Sequence, residues 1–368
     1  MGLVGQLRSK DIAASIVGKI SEFNDGNYVL MEVCGSHTMA IHRFGIPSML
    51  PSNIRLISGP GCPVCVTSSG FIENAVTLAR IPGVIIATFG DLMRVPGNSV
   101  TLERTRANGS DIRVVKSPLE ALGIATADRR KKVIFLGIGF ETTTPSTAIT
   151  IQEAETGRVD NFFLLSAHKV MPPALRALVT DGVKFEGLIA PGHVSAVTGS
   201  SIYNFLSEEY KLACVISGFE PVDILLSIYM LIKQIKDGNP RVEIQYSRAV
   251  KPGGNSRARS AIEHVFMETD EWWRGLGVIR NSGLALREEF RRFDAKEYFK
   301  LAPEENNEPA GCLCGSIMKG LRSPPECPHF GKKCTPQDPV GACMVSQEGA
   351  CQAFYRYNRK DDQIKESK

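Results

Sequence analysis

Ten cysteines in this 368-residue chain raise the first chemical question, because nine of them fall into two groups. Cys34, Cys62 and Cys65 lie early, and the last two belong to the segment Gly59-Pro-Gly-Cys-Pro-Val-Cys65. Six more crowd the C-terminal region: Cys312, Cys314, Cys327, Cys334, Cys343 and Cys351. A Cys-x-x-Cys pair can be a redox couple, half of a zinc site, or a pair of ligands for a bound metal fragment. Two groups of thiols predict two sites.

The composition is that of a globular protein long enough for two or three domains, with 43% hydrophobic and 22% charged residues. A net charge of +4, with the basic residues scattered, does not support nucleic-acid binding. The N-terminus has no apolar signal-peptide core, and the longest apolar stretch, residues 224–235, is too short to span a membrane. We therefore expect a cytoplasmic protein whose cysteines serve metal binding or redox chemistry.

The elements that must position these thiols follow an alternating pattern. Short apolar runs recur at spacings that leave room for a helix, first at residues 28–33, 54–57, 84–89 and 112–115, then at residues 132–136, 162–165, 187–190, 213–216 and 242–246. Continuous apolar strands alternating with helices are typical of parallel sheets covered on both faces. The pattern predicts an α/β fold of two similar Rossmann-like domains that face a central cleft.

The predicted domains are residues 1–116, with the early cysteines, residues 117–246, and a helical, cysteine-rich iron–sulfur domain over residues 247–368. Within the last we expect helices at residues 260–267 and 284–293. The C-terminal residues contain few aliphatic side chains, so a metal or covalent links should organise them.

Reactive or polar groups follow nearly every predicted strand. They include Cys34 with His37, the segment ending at Cys65, Glu141, His168, His193 and Glu220. Ligands of open parallel sheets bind at the carboxyl ends of the strands. The sequence therefore predicts one cleft with three thiols, in which Glu141 and Glu220 act as acid–base or hydrogen-bonding groups. The alternative for both glutamates is an ordinary carboxylate at a helix N-terminus.

The six C-terminal cysteines are dispersed and accompanied by prolines, without paired Cys-x-x-Cys knuckles. A set of four thiolates holds zinc or an iron–sulfur cluster. Dispersed spacing favours a 4Fe-4S cluster, while zinc and metal-free thiols stay open. In an extended Cys312-Leu-Cys314 segment the two side chains point to opposite sides, so we do not expect both to bind one cluster.

Several long motifs resemble the HypD family of nickel–iron hydrogenase maturation factors. They are "MEVCGSHTMAIHRFGI", "SGPGCPVCVTS", "GIGFETTTPSTA", "APGHVSAVTG" and "SGFEPVD", followed by the six-cysteine region. The resemblance covers essentially the whole chain and none of the motif cysteines departs from it. It implies a scaffold that assembles the Fe(CN)2CO unit of the hydrogenase active site together with a small HypC-type partner.

The resemblance also implies roles for individual residues. Cys34 is the expected iron-binding thiol with His37 beside it, and Cys62 and Cys65 face it as a redox-active pair. A HypE-type partner would deliver cyanide as a thiocyanate, whose release consumes two electrons, and the cluster would supply them. Alone, the protein is expected to be a monomer.

The Cys-x-Cys segment is also similar to that of ferredoxin–thioredoxin reductase. Applied to this chain, the likeness implies cluster ligands at Cys312, Cys327, Cys334 and Cys351. It also implies an auxiliary disulfide between Cys314 and Cys343. Two other functions stay open: an iron–sulfur thiol–disulfide oxidoreductase, and a zinc-stabilised binding module.

Overall fold

A computed structural model describes residues 2–98, 100–304 and 306–358 of the chain. Each of the nine apolar runs forms a strand: β1 Tyr28–Glu32, β2 Ile54–Ser58, β3 Val84–Thr88, β4 Ile112–Val114, β5 Lys132–Gly139, β6 Phe162–His168, β7 Gly187–Pro191, β8 Ala213–Ser217 and β9 Val242–Ile244. Several central strands are buried along their whole length, as β-branched and aromatic runs between two helical layers must be. The α/β prediction is confirmed.

Two sheets contain these strands, and every pairing within them is parallel. Sheet A has the order β2-β1-β7-β8-β9, and sheet B has the order β4-β3-β5-β6. Residues 84–168 thus form sheet B as an insertion between the two parts of sheet A.

This arrangement corrects the predicted boundary near residue 116, which lies inside sheet B. Residues 1–116 and 117–246 do not correspond to the two sheets, because β1 pairs with β7, which comes more than a hundred residues later. An apolar run predicts a strand but does not choose its partner. The contact of β1 with β7 depends on Gly187, where an added Cβ would lie 2.9 Å from a methyl carbon of Leu30.

Helices connect and cover the sheets. They are α1 Leu3–Leu7, α2 Lys10–Ser21, α3 Gly35–Arg43, α4 Ile46–Met49, α5 Pro63–Val66, α6 Ser69–Ala79, α7 Leu102–Ala107, α8 Pro118–Ala127, α9 Thr144–Thr156, α10 Met171–Thr180, α11 Gly192–Thr198, α12 Asn204–Glu208, α13 Pro221–Lys236, α14 Ser256–Val265, α15 Ala295–Tyr298, α16 Cys314–Met318 and α17 Ala350–Tyr357. Short 3-10 helices occur at Gly90–Arg94, Ser201–Tyr203, Glu288–Phe293, Pro324–Glu326 and Ala342–Met344. No helix among the described residues has both the length and the apolar character needed to cross a membrane.

An antiparallel hairpin follows α14 where helices were predicted. It consists of β10 Phe266–Trp273 and β11 Gly277–Leu286, so the helix predicted at residues 260–267 ends at Val265 and the one at 284–293 begins as a strand. The strands are half exposed and carry charges, which hid their period-two pattern. The hairpin lies beside β6 through an antiparallel bridge between Lys169 and Gly283.

The C-terminal region shares its core with the sheets. Cys314, Ile317 and Cys343 belong to the same cluster of buried side chains as Val64 and Leu136. A separate C-terminal domain is therefore not confirmed.

Candidate functional site

The carboxyl end of sheet A carries the first group of thiols. Cys34 directly follows β1 and is the N-cap residue of α3, with extended backbone and 8% of its surface exposed. Its amide donates a hydrogen bond to the Glu32 carboxylate at 3.0 Å. Burial raises the pKa of the Cys34 thiol to about 12, and the Glu348 carboxylate adds to the shift. The thiol is therefore protonated at neutral pH and must lose its proton to bind a metal ion.

The loop after β2 lies directly against Cys34. A Cβ added to Gly61 would be 2.1 Å from the amide nitrogen of Cys34 and 2.5 Å from its Cα, so only glycine fits at this position. The amide of Gly35 donates to the carbonyl oxygen of Gly61 at 2.9 Å, and the amide of Gly59 donates to that of Glu32 at 2.7 Å. These contacts fix the two loops relative to each other.

Cys62 and Cys65 form a disulfide within this second loop. Cys62 is the N-cap residue of α5, and its sulfur accepts a hydrogen bond from the amide of Cys65 at 3.2 Å. The two residues are 5% and 0% exposed. Because β1 and β2 are neighbours in sheet A, the disulfide and Cys34 lie at adjacent strand ends. We call Cys34, Cys62 and Cys65 the thiol site.

His37 lies on α3, one turn after Cys34, and is fully buried. Its Nε2 donates to the carbonyl oxygen of Gly218 at 2.9 Å, whereas Nδ1 has no partner. Burial lowers the pKa of His37 to about 4, so the ring is neutral. Phe219 stacks with His37 at 4.6 Å between ring centroids and with His193 at 3.9 Å. The loop after β8 therefore positions His37.

Two carboxylates near Cys34 were missed in the sequence. Glu32 also accepts a hydrogen bond from Thr38, and burial raises its pKa to about 7. Glu348 accepts one from Ser36 at 2.7 Å, and burial raises its pKa. Glu32 could have been found from the sequence, because it is a charged residue inside the apolar run of β1. Nothing in the sequence points to Glu348, which reaches Cys34 only through the fold.

The carboxyl end of sheet B places Glu141 differently. One of its oxygens accepts from the amide of Met171 at 2.9 Å, and the other is buried without a partner. Burial raises its pKa to about 7. Glu141 lines a pocket of about 620 Å³ whose lining includes none of the three thiols.

Glu220 binds Arg8 through two hydrogen bonds and forms a capping box at the start of α13. No hydrogen bond of the Glu141 or Glu220 carboxylate among the described residues reaches Cys34, His37 or the disulfide. These contacts match the alternative reading of both glutamates as helix N-terminal carboxylates.

Six thiols meet in the C-terminal region. A small closed cavity, here called the cysteine cavity, is lined by Cys312, Cys314, Cys327, Cys334, Cys343 and Cys351, together with Phe330, Gly341 and Met344. All six are free thiols. Cys314 forms a thiol–thiol hydrogen bond with Cys343, and the amide of Cys351 donates to the sulfur of Cys343 at 3.3 Å. Among the described residues, no group of three or more His, Cys, Asp or Glu is arranged to hold a single metal ion.

The Cys312-Leu-Cys314 segment corrects one prediction. Leu313 has φ −96° and ψ 16°, and α16 begins at Cys314, so the segment is not extended. Both thiols line the cavity and hydrogen-bond to each other. The argument that they point to opposite sides is therefore wrong. Soft sulfur donors in an otherwise apolar cavity fit the chemistry of an iron–sulfur cluster.

The family model named HypD, described as "Hydrogenase formation hypA family", matches residues 10–358. The chain belongs to the HypD family. It is 44% identical over 338 residues to the hydrogenase maturation factor HypD of Escherichia coli K12, covering 91% of this chain and 90% of that protein. It is 42% identical to HypD of Azotobacter vinelandii, and the match covers 98% of each chain. HypD of Cupriavidus necator is also 42% identical, again over 98% of both chains.

The HypD match includes both groups of thiols, from Cys34 to Cys351. The match and the geometry therefore concern the same residues.

Proposed function

We propose that this protein is a nickel–iron hydrogenase maturation factor that assembles the Fe(CN)2CO unit on the thiol of Cys34. The observation that carries the proposal is the fixed contact between the two loops, in which Gly61 leaves no gap beside Cys34 and places the Cys62–Cys65 disulfide at the adjacent strand end. The relatives' names supply the process, and the soft, buried thiols suit an iron ion that carries strong-field ligands.

Cys62 and Cys65 act in this proposal as a two-electron couple. In the reduced state, one thiolate attacks the sulfur of a partner's thiocyanate, and cyanide leaves with the electron pair of the sulfur–carbon bond. The second thiol then attacks the mixed disulfide, so the partner's thiol is released and the Cys62–Cys65 disulfide forms. The cyanide binds the iron at Cys34, and His37 with Glu32 holds the loop around it.

The disulfide must be reduced by two electrons and two protons before another round. A 4Fe-4S cluster held by Cys312, Cys327, Cys334 and Cys351 would supply those electrons one at a time from a one-electron donor, with Cys314 and Cys343 as the auxiliary pair. Packing of α5 on the 3-10 helix Ala342–Met344 supports a short path to the disulfide.

The partners in this proposal are a small HypC-type protein and a HypE-type cyanide donor, and the place is the cytoplasm. A general thiol–disulfide oxidoreductase is less well supported, because the names of the relatives give hydrogenase maturation as the process.

Infrared spectroscopy of the protein purified anaerobically with its small partner tests the iron site, since metal-bound cyanide and carbon monoxide absorb where proteins do not. We expect these bands in the wild type and their loss in Cys34→Ala. Cys214→Ala is the matched control, because Cys214 is also a buried cysteine and lies inside β8 of the same sheet. Bands that persist in Cys34→Ala would contradict the assignment.

Iron and sulfide analysis tests the cluster separately. Cys327→Ala or Cys334→Ala should remove both elements and expose residues 309–358 to proteolysis, because metal binding is coupled to folding. Wild-type iron and sulfide in both variants would contradict their role as ligands.

A further inference from the structure

The turn of the β10–β11 hairpin lies against the segment that leaves the disulfide. β10 ends at Trp273, and Arg274 follows it. The amide of Arg274 donates to the carbonyl oxygen of Val66 at 3.0 Å, and its guanidinium donates twice to that of Thr67, at 3.3 and 3.1 Å. Val66 and Thr67 come directly after Cys65. The turn therefore holds this segment by three hydrogen bonds.

On its other side, the same turn contacts α16, the helix that begins at Cys314. Gly275 has φ +78°, and a Cβ added to it would lie 2.3 Å from the Cα of Gly315. Gly315 is the residue after Cys314 in α16. The amide of Gly275 also donates to the Glu308 carboxylate at 2.8 Å, which fixes the turn from outside. The turn of the hairpin thus contacts both of the segments that carry the thiols, next to Cys65 and next to Cys314.

Arg274 brings a buried positive charge to this position. Only 2% of its surface is exposed, and its guanidinium donates to a carbonyl oxygen rather than to a carboxylate. The hydrogen bond with Cys314 and burial raise the pKa of the Cys312 thiol, and the charge of Arg274 opposes that shift. A buried cation without a bonded carboxylate is costly unless negative charge lies nearby. Thiolates in the cysteine cavity would supply that charge.

We propose that Arg274 is a positioning residue that holds the Cys62–Cys65 segment against the cysteine cavity and supplies the counter-charge for thiolates in the cavity. The counter-charge role rests on the proposed function, because it requires the cavity to hold the cluster. The positioning role does not rest on it. Each electron that the cluster accepts from a one-electron donor adds one negative charge. A fixed cation beside it therefore favours the reduced form.

The charge is tested by the reduction potential of the iron-loaded protein, titrated with dithionite in an anaerobic optical cell. We expect Arg274→Gln to lower the equilibrium constant for reduction at least tenfold, which corresponds to about 59 mV for one electron. Arg274→Lys should stay within threefold of the wild type, because it keeps the charge. Arg280→Gln is the matched control, an exposed arginine of the same hairpin. Equal potentials for Arg274→Gln and Arg280→Gln would overturn the charge assignment.

The positioning part is tested on the protein as purified, by the rate at which dithiothreitol reduces the Cys62–Cys65 disulfide. Because both sulfurs are buried, attack requires local opening, which the guanidinium opposes. We expect at least tenfold faster reduction in Arg274→Gln, about threefold in Arg274→Lys, and no change in Arg280→Gln. An unchanged rate in Arg274→Lys would overturn this part, even if Arg274→Gln fails to fold. A wild type without iron and sulfide would contradict the proposed cluster and leave this measurement intact.

Discussion

The carboxyl ends of the two parallel sheets use their polar side chains in different ways. At the end of sheet A, the Nδ1 atom of His37 has no partner among the described residues, and the amide of Cys34 donates to the Glu32 carboxylate. At the end of sheet B, both ring nitrogens of His168 lie 3.3 Å from hydroxyl groups, and Lys169 donates to the carbonyl oxygen of Trp272 at 2.9 Å. Similar topology therefore places thiols at the end of sheet A and a hydrogen-bonded histidine and lysine at the end of sheet B.

What covers each end explains this difference. The β10–β11 hairpin bonds directly to the end of sheet B, where the amide of Val170 donates to Ser282 and the hydroxyl of Ser166 to Leu284. The end of sheet A is covered by the cysteine-rich segment, which binds it through Glu348 and Ser36. The two covers thus leave different groups without a hydrogen-bond partner: Nδ1 of His37 at the end of sheet A and one oxygen of Glu141 at the end of sheet B.

Lys169→Met should give the largest loss of stability at the sheet B end. Lys169 is buried 3.5 Å from the Glu271 carboxylate, and removing its charge leaves that carboxylate without its salt-bridge partner. We expect the free energy of unfolding in urea to fall by about 3 kcal/mol. The exposed Lys184→Met is the control. Because the change is structural, the folded variant should keep its cyanide and carbonyl bands. Loss of these bands in a variant of normal stability would contradict the purely structural role that we assign to Lys169.

Gly61→Ala should damage both stability and chemistry at the sheet A end. Its Cβ would overlap the backbone of Cys34, so the two loops must separate. We expect a destabilisation of about 2 kcal/mol in urea unfolding, together with loss of the infrared bands. Gly123→Ala, in a helix with nothing within 4 Å of the new Cβ, should stabilise by about 0.5–1 kcal/mol. Intact bands in Gly61→Ala would show that the contact does not position Cys34.

Glu141→Gln should change the pH dependence of stability. Because burial raises the pKa of Glu141 from 4.5 to about 7, the folded state binds more protons than the unfolded state in that range. Stability from this group is complete below pH 4.5 and is lost as the pH rises through 7. Between pH 5 and 8, the free energy of unfolding in urea should fall for both proteins, and the fall should be smaller in the variant by on the order of 2 kcal/mol. Burial raises the pKa of Glu32 in the same direction, so part of the pH dependence of stability remains in the variant. Identical slopes would mean that Glu141 is not protonated in the fold.

Phe219→Leu should have the smallest effect on stability, about 1 kcal/mol, because it removes ring stacking but keeps apolar volume. Its effect on His37 should be clearer. Without the stacked ring, the imidazole is less firmly held on Gly218, and nitrogen NMR should detect a mixture of tautomers. Phe205→Leu, which removes a ring pair with Tyr210, is the control. A single unchanged tautomer in Phe219→Leu would remove Phe219 from the site.

The sequence predicted local features well. All nine strands of the two sheets were found because a buried parallel strand is a continuous apolar run. Cys34 and the Cys62–Cys65 loop were placed at strand ends for the same reason. The roles of the cysteines in iron binding and electron transfer came from the resemblance and stay predictions.

Features that depend on distant contacts were not predictable. The pairing of β1 with β7 joins residues more than 150 positions apart. The burial of Lys169 depends on the hairpin, whose charged strands resembled a helix, and the position of Arg274 depends on the same element. Glu348 reaches Ser36 across 312 residues of sequence. A single sequence carries no local mark of such contacts.

The insertion of sheet B into sheet A has a consequence for synthesis on the ribosome. About 130 residues separate the end of β2 from the start of β7, so the strands that carry the early cysteines emerge well before their central partner. At about 5–20 residues per second, they wait roughly ten seconds, while sheet B can already form. We therefore expect Cys34, Cys62 and Cys65 to react with a thiol reagent on stalled nascent chains that end near residue 170, and to be protected once β8 has emerged.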